Sequence, residues 1–219
     1  MTAKIKLNAA SGGGSFSLQA PSSSANNRVI TLPDIADGTL LTSQSSLDST
    51  KLSPAITGGL AMADQWRWTT EFTQSNASYT FGVTNDWERP DSKAGIGSNP
   101  LGTGMTQSSG IFTFPSTGYY WILFNTSCKV GNDSCEVFTY VRATENNSSY
   151  DTVARATDTI QNQCTPNFTT SSVQYLARVT DVSNYKVGFR VDNSGISVTW
   201  LGASDENRIV ATFLKVGDI

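Results

Sequence analysis

The chain has 219 residues, enough for one large domain or one domain with a smaller attached piece. Charged residues make up 15%, the net charge is −3, and histidine is absent. The lack of any dense Lys/Arg cluster argues against a nucleic-acid backbone as partner, because such binding depends on neutralising phosphates. The absence of histidine removes Ser-His-Asp and Cys-His nucleophiles and His-ligated zinc.

No apolar run approaches the roughly 20 residues of a membrane-spanning helix, so membrane insertion is not expected. The opening MTAKIKLNAASGGGS has no apolar signal core, which places synthesis in a cytoplasm. Ser, Thr, Asn and Gly are abundant, a composition suited to an all-β protein with many turns.

Residues 1–42 read as short strands. In KIKLN, Ile5 and Leu7 alternate with Lys4 and Lys6; SGGGS is a turn; FSLQA alternates through Phe16 and Leu18; RVITLP supplies Val29 and Leu32 before Pro33 ends it. Three such strands bury too little to stand alone, so Ile5, Leu7, Phe16, Leu18, Val29 and Leu32 are expected to dock onto something larger. Residues 43–64 have no sustained period and read as a linker.

From residue 65 to 219 the sequence is a succession of strands and turns. WRWTTEF and SYTFGV precede a long Gly- and Pro-rich loop, residues 85–104. IFTFP, YYWILFNTS, CEVFTYVRAT, VQYLARV, YKVGFRV, ISVTWLG and RIVATFLKV follow. With no helical pattern between them, these strands imply a sandwich or jelly roll. YKVGFRV should put Tyr185, Val187, Phe189 and Val191 inside. Cys128 and Cys135 flank KVGNDS, where a hairpin would bring them near each other; cytosolic synthesis favours two thiols over a disulfide.

Two strands are apolar on both sides. In YYWILF, Tyr119, Trp121 and Leu123 alternate with Tyr120, Ile122 and Phe124; in RIVATFLKV, Val210 and Leu214 alternate with Ile209, Ala211 and Phe213. A sandwich has only one inner face. Leaving the other set bare would create a patch of the size that marks an interface. Tyr119, Trp121, Leu123, Val210 and Leu214 are therefore expected to pack against other copies of the chain. The competing expectation is that the 85–104 loop folds over them.

GIFTFPSTGYYWI, residues 110–122, resembles the C1q signature G-x-F-x-C-P-x-P-G-x-Y-x-F. Gly110, Phe112, Phe114, Pro115, Thr117, Gly118, Tyr120 and Ile122 fall on its spacing, with Phe114, Thr117 and Ile122 departing in identity. The resemblance implies a C1q/TNF-like jelly roll over about residues 66–219, in a homotrimer packed around a three-fold axis. The N-terminal Ala20-Pro21, Thr31-Leu32-Pro33-Asp34 and Gly38-Thr39-Leu40 resemble segments of phage tail-fibre and other virion-appendage proteins. Marine phages, cyanophages among them, join such segments to C1q-like heads ending as Lys215-Val216-Gly217-Asp218 does.

Together these readings give an all-β virion protein of non-enzymatic character. A short N-terminal strand module would contact other phage virion proteins, and a trimeric head would adhere to a host-surface glycan or protein. Capsid decoration is the alternative. Trp87 and Arg89, in NDWERPD, are the candidate glycan contacts, since an indole can stack on a sugar while a guanidinium bonds its hydroxyls. A structural role for Trp87, anchoring the loop, competes with that. A carbohydrate-active enzyme would use Asp86, Glu88 and Asp91 or Asp205 and Glu206, and calcium in such a loop would need only oxygen ligands. No motif implies a cofactor.

Overall fold

The computed structural model describes residues 4–8, 11–19, 60–75, 77–82, 86–90, 99–131, 135–160, 166–195 and 197–219. The chain falls into two units, Met1–Thr57 and Gly58–Ile219. In the first, β1 (Lys4–Asn8) and β2 (Ser15–Gln19) form an antiparallel hairpin. Its register sets Ile5 opposite Leu18 and Leu7 opposite Phe16, so the four apolar positions fall on one side of the ribbon. Val29 and Leu32 lie outside the described residues.

Among its described residues the second unit contains thirteen strands and no helix. They are β3 (Met62–Trp68), β4 (Phe72–Ser75), β5 (Ser78–Thr80), β6 (Trp87–Glu88), β7 (Thr106–Ser108), β8 (Ile111–Thr113), β9 (Gly118–Val130), β10 (Cys135–Thr144), β11 (Asp151–Ile160), β12 (Asn167–Val179), β13 (Lys186–Ser194), β14 (Ser197–Trp200) and β15 (Val210–Gly217). One antiparallel sheet is built on β9. Strand β12 pairs along all of β9 on one side, while β15 and then β14 share the other; β3 and β6 continue beyond β15, and β4 beyond β14. The second sheet runs β11-β10-β13-β8-β7, with β5 also against β13. From β8 onward the chain crosses between sheets: β9 in the first, β10 and β11 in the second, β12 in the first, β13 in the second, β14 and β15 in the first. That connectivity is a jelly roll.

Alternation explains the core. Tyr120, Ile122 and Phe124 from β9, Val187, Phe189 and Val191 from β13, and Ala211 and Phe213 from β15 are fully buried between the sheets. Aromatic rings meet in tilted pairs across the gap, Phe124 with Phe189 at 4.3 Å and Phe112 with Phe213 at 5.1 Å between centroids. The C1q-like spacing has a local cause. At Gly110, with φ of 76°, an added Cβ would lie 1.7 Å from the Phe81 carbonyl oxygen, so only glycine fits. Tyr120 donates its hydroxyl to the Ser116 carbonyl at 2.9 Å, tying the turn before β9 to the core.

Two sequence expectations need correction. Strand β11 was not anticipated: its exposed Asp151, Thr152, Arg155, Thr157 and Thr159 suit a sheet edge, where one-sided burial leaves little apolar signal. Cys128 and Cys135 are not on a hairpin, because β9 and β10 belong to different sheets and the segment between them is a crossover.

Candidate functional site

The outward face of the β9 sheet is where the sequence left apolar side chains unaccounted for. Along β9 the positions alternate strictly, with Tyr119 and Trp121 exposed and Leu123 half-buried. Register shows what surrounds them. Trp121 is opposite Leu176 of β12 on one side and Leu214 of β15 on the other; Leu214 is opposite Ala63 of β3, which bridges to Leu101. Leu176–Trp121–Leu214–Ala63–Leu101 is thus one unbroken apolar row across the sheet. At about 4.8 Å per strand it spans roughly 19 Å. Leu176 is 50% exposed, Trp121 40% and Leu101 52%. The flanking level, Gln174–Leu123–Thr212–Gln65, is mostly polar.

Of the residues predicted for an interface, Tyr119, Trp121, Leu123 and Leu214 lie on or beside this row. Val210 does not: it sits between Asn125 and Arg67 in the register and is only 7% exposed. Leu176 and Leu101 were missed. Leu176 is a lone apolar residue between Gln174 and Arg178, and only strand pairing puts it beside Trp121. The 85–104 loop does reach this face, but its Leu101 extends the row rather than covering it.

The loop's other predicted residues serve the fold. Trp87 is 4% exposed and packs among Trp68, Phe112 and Phe189, with centroids at 5.6, 5.3 and 5.8 Å. An indole enclosed in this way presents no face to a sugar, so of the two roles expected for Trp87 the core anchor stands and the glycan contact does not. Arg89 is engaged as well. Its Nε and Nη2 donate to the two carboxylate oxygens of buried Asp64, both at 3.0 Å, and its guanidinium stacks over Trp66 at 4.5 Å. Asp64 also accepts from the Trp66 indole at 2.9 Å and from the Met105 amide at 2.7 Å. Glu88 pairs with Arg67 at 2.7 Å and Glu206 pairs with Arg208. Asp91 lies outside the described residues. Among the described residues, no three His, Cys, Asp or Glu side chains converge as a metal site.

No protein-family model and no curated protein matches the chain. Among solved structures it is similar to the Eiger TNF of S. frugiperda (12% identity, 72% of this chain and 93% of that one, TM-score 0.49). It is also similar to murine APRIL at pH 8.5 (10% identity, 71% and 98%, TM-score 0.47).

Proposed function

We propose that this chain is a non-enzymatic structural protein of a phage virion appendage. Its N-terminal segment attaches to other virion proteins, and its jelly-roll head self-associates as a trimer displayed for adhesion to a host surface. The observation that carries the self-association is the row Leu176–Trp121–Leu214–Ala63–Leu101. Full burial of a Trp or Leu side chain contributes roughly 1.5–3 kcal/mol, and these start about half-buried. Three or four of them, repeated on each copy, supply enough to offset the cost of association. The phage assignment is supported by the N-terminal sequence segment, and adhesion by the avidity that three copies of one head would give a weak site.

The test is sedimentation of the purified full chain beside Trp121→Asp. The wild type is expected to be a trimer at micromolar concentration, and the variant a folded monomer whose association is weakened at least a hundredfold. A wild-type chain that sediments as a well-folded monomer overturns the proposal. A trimer that binds no host cell, and whose loss makes capsids leak DNA, transfers the protein to capsid decoration.

A further inference from the structure

The opposite end of the same sheet face carries a second feature that no part of the preceding reading uses. About 26 Å along β9 from Trp121, near Lys129, the surface sinks into a groove of about 600 Å³. Its volume falls within the roughly 300–1,000 Å³ of small-molecule sites. The groove is lined by Lys129 at the end of β9, Phe168 of β12, Ser197 and Thr199 of β14, and Leu201 and Arg208 from the segment that follows. A smaller depression shares Phe168, Leu201 and Arg208 and extends the groove toward Thr170.

Phe168 is the side chain that needs an explanation. At 64% it is the most exposed large apolar residue described, and it stands opposite Lys129 in the register, on the outward face. It has no apolar row around it. Around it Val130, Pro166 and Leu201 line the groove together with hydroxyls, Thr199 bonded to Thr73 at 3.1 Å and Ser197 accepting from Ser75 at 3.1 Å, and two ion pairs. Lys129 Nζ lies 3.1 Å from a Glu71 carboxylate oxygen, and Arg208 pairs with Glu206. The cations at the groove are thus matched by anions, which cancels the field that would draw in an anionic ligand.

An exposed ring, fixed hydroxyls and locally neutral pairs of donors and acceptors suit one ligand class. The geometry points to a binding site for a neutral saccharide. The apolar C–H face of a pyranose would cover Phe168, while its hydroxyls bond to Ser197, Thr199 and the ion-paired side chains. Phe168 supplies the contact area and the polar rim fixes orientation. This inference rests on the adhesion reading, for which it names a ligand class and a place.

Saturation-transfer NMR on the full chain tests it, with cellobiose, maltose and lactose as neutral probes and a glucuronate-containing disaccharide as the anionic control. At least one neutral disaccharide is expected to bind with a millimolar Kd that does not change between low and high salt. Phe168→Ser should weaken it tenfold or more at unchanged melting temperature, and Phe168→Tyr should preserve it. Three results overturn the site: no neutral probe binds; Phe168→Ser binds as well as wild type; or the anionic control is preferred and salt displaces it. If Phe168→Ser instead lowers the association state, the groove belongs to a contact between copies and the saccharide assignment falls. Host-cell binding separates the two proposals. Cells bound equally by wild type and Phe168→Ser remove the groove and leave adhesion standing. Disaccharide binding without cell binding removes adhesion and leaves the groove.

Discussion

Both sheets carry aromatic side chains on their outer faces, and they treat them differently. On the second sheet Phe138 and Tyr140 of β10 stack with centroids 6.3 Å apart. Arg155 of β11 lies over Phe138 at 5.7 Å, and Arg190 of β13 lies over Tyr140 at 5.0 Å. Each guanidinium keeps its charge in water while its stem shields the ring. On the β9 sheet the cross-strand neighbours of Trp121 are leucines, and among the described residues no arginine covers its ring, which is 40% exposed. Where rings face solvent permanently, the fold supplies arginines. Where it supplies more apolar surface instead, the bare row is the physical ground for the association proposed above.

Three grades of aromatic residue follow from this contrast: enclosed, arginine-covered and bare. Each grade can be tested by substitution. The largest effect belongs to the enclosed grade. Trp87→Ala should cost about 3–5 kcal/mol in urea unfolding, whereas Trp87→Phe should cost well under half of that, because the indole N–H has no hydrogen-bond acceptor among the described residues. Equal losses would mean that the nitrogen, and not the ring, matters. In the bare grade, Trp121→Asp should leave monomer stability within about 0.5 kcal/mol and act on association alone.

The covered grade is intermediate. Arg190 also donates to Asp192 at 2.6 Å and to Ser78 at 2.8 Å. Arg190→Met should therefore cost about 1 kcal/mol, measured by thermal unfolding. No loss would mean that the arginine cover does nothing, and the contrast between the sheets would collapse.

The smallest effect is confined to alkaline pH. Burial, followed by the 3.1 Å hydrogen bond with Tyr175, pushes the Tyr185 hydroxyl above its ordinary 10.0. The fold thus favours the neutral phenol. Its contribution is complete below about pH 10, and it is lost as pH rises above that, since the unfolded chain ionises first. Tyr185→Phe should flatten the fall in melting temperature between pH 10 and 11, and an unchanged slope would place the alkaline lability elsewhere.

Much of the fold was legible because period-two alternation survives wherever one face is buried. YKVGFRV put Tyr185, Val187, Phe189 and Val191 inside as read, and along YYWILF one apolar set is buried while Tyr119 and Trp121 are exposed. Trp87 was open to two readings because Asp86, Glu88 and Arg89 beside it resemble a solvated loop, and the anchoring one holds, since the ring turns into the core. Val210 misled because alternation gives a side of the strand but not what covers that side. Leu176, Leu101 and Phe168 were unreadable for a different reason: none of them continues an apolar alternation along its own outward face. The meaning of each comes from a cross-strand or bridging neighbour far away in sequence, such as Trp121, Ala63 or Lys129, and pairing of that kind has no local signature.

The Asp64 carboxylate has an engineering consequence. It grips Arg89 on one side of the 85–104 loop and the Met105 amide on the other, so the two ends of the loop are held by β3. Sequence spliced between Pro90 and Asn99 would lengthen a span whose anchorage is already in place, and loop closure grows by only about 0.6 kcal/mol per doubling of length. That makes the span a natural docking point for a foreign epitope or affinity tag, carried on the head without drawing on either sheet.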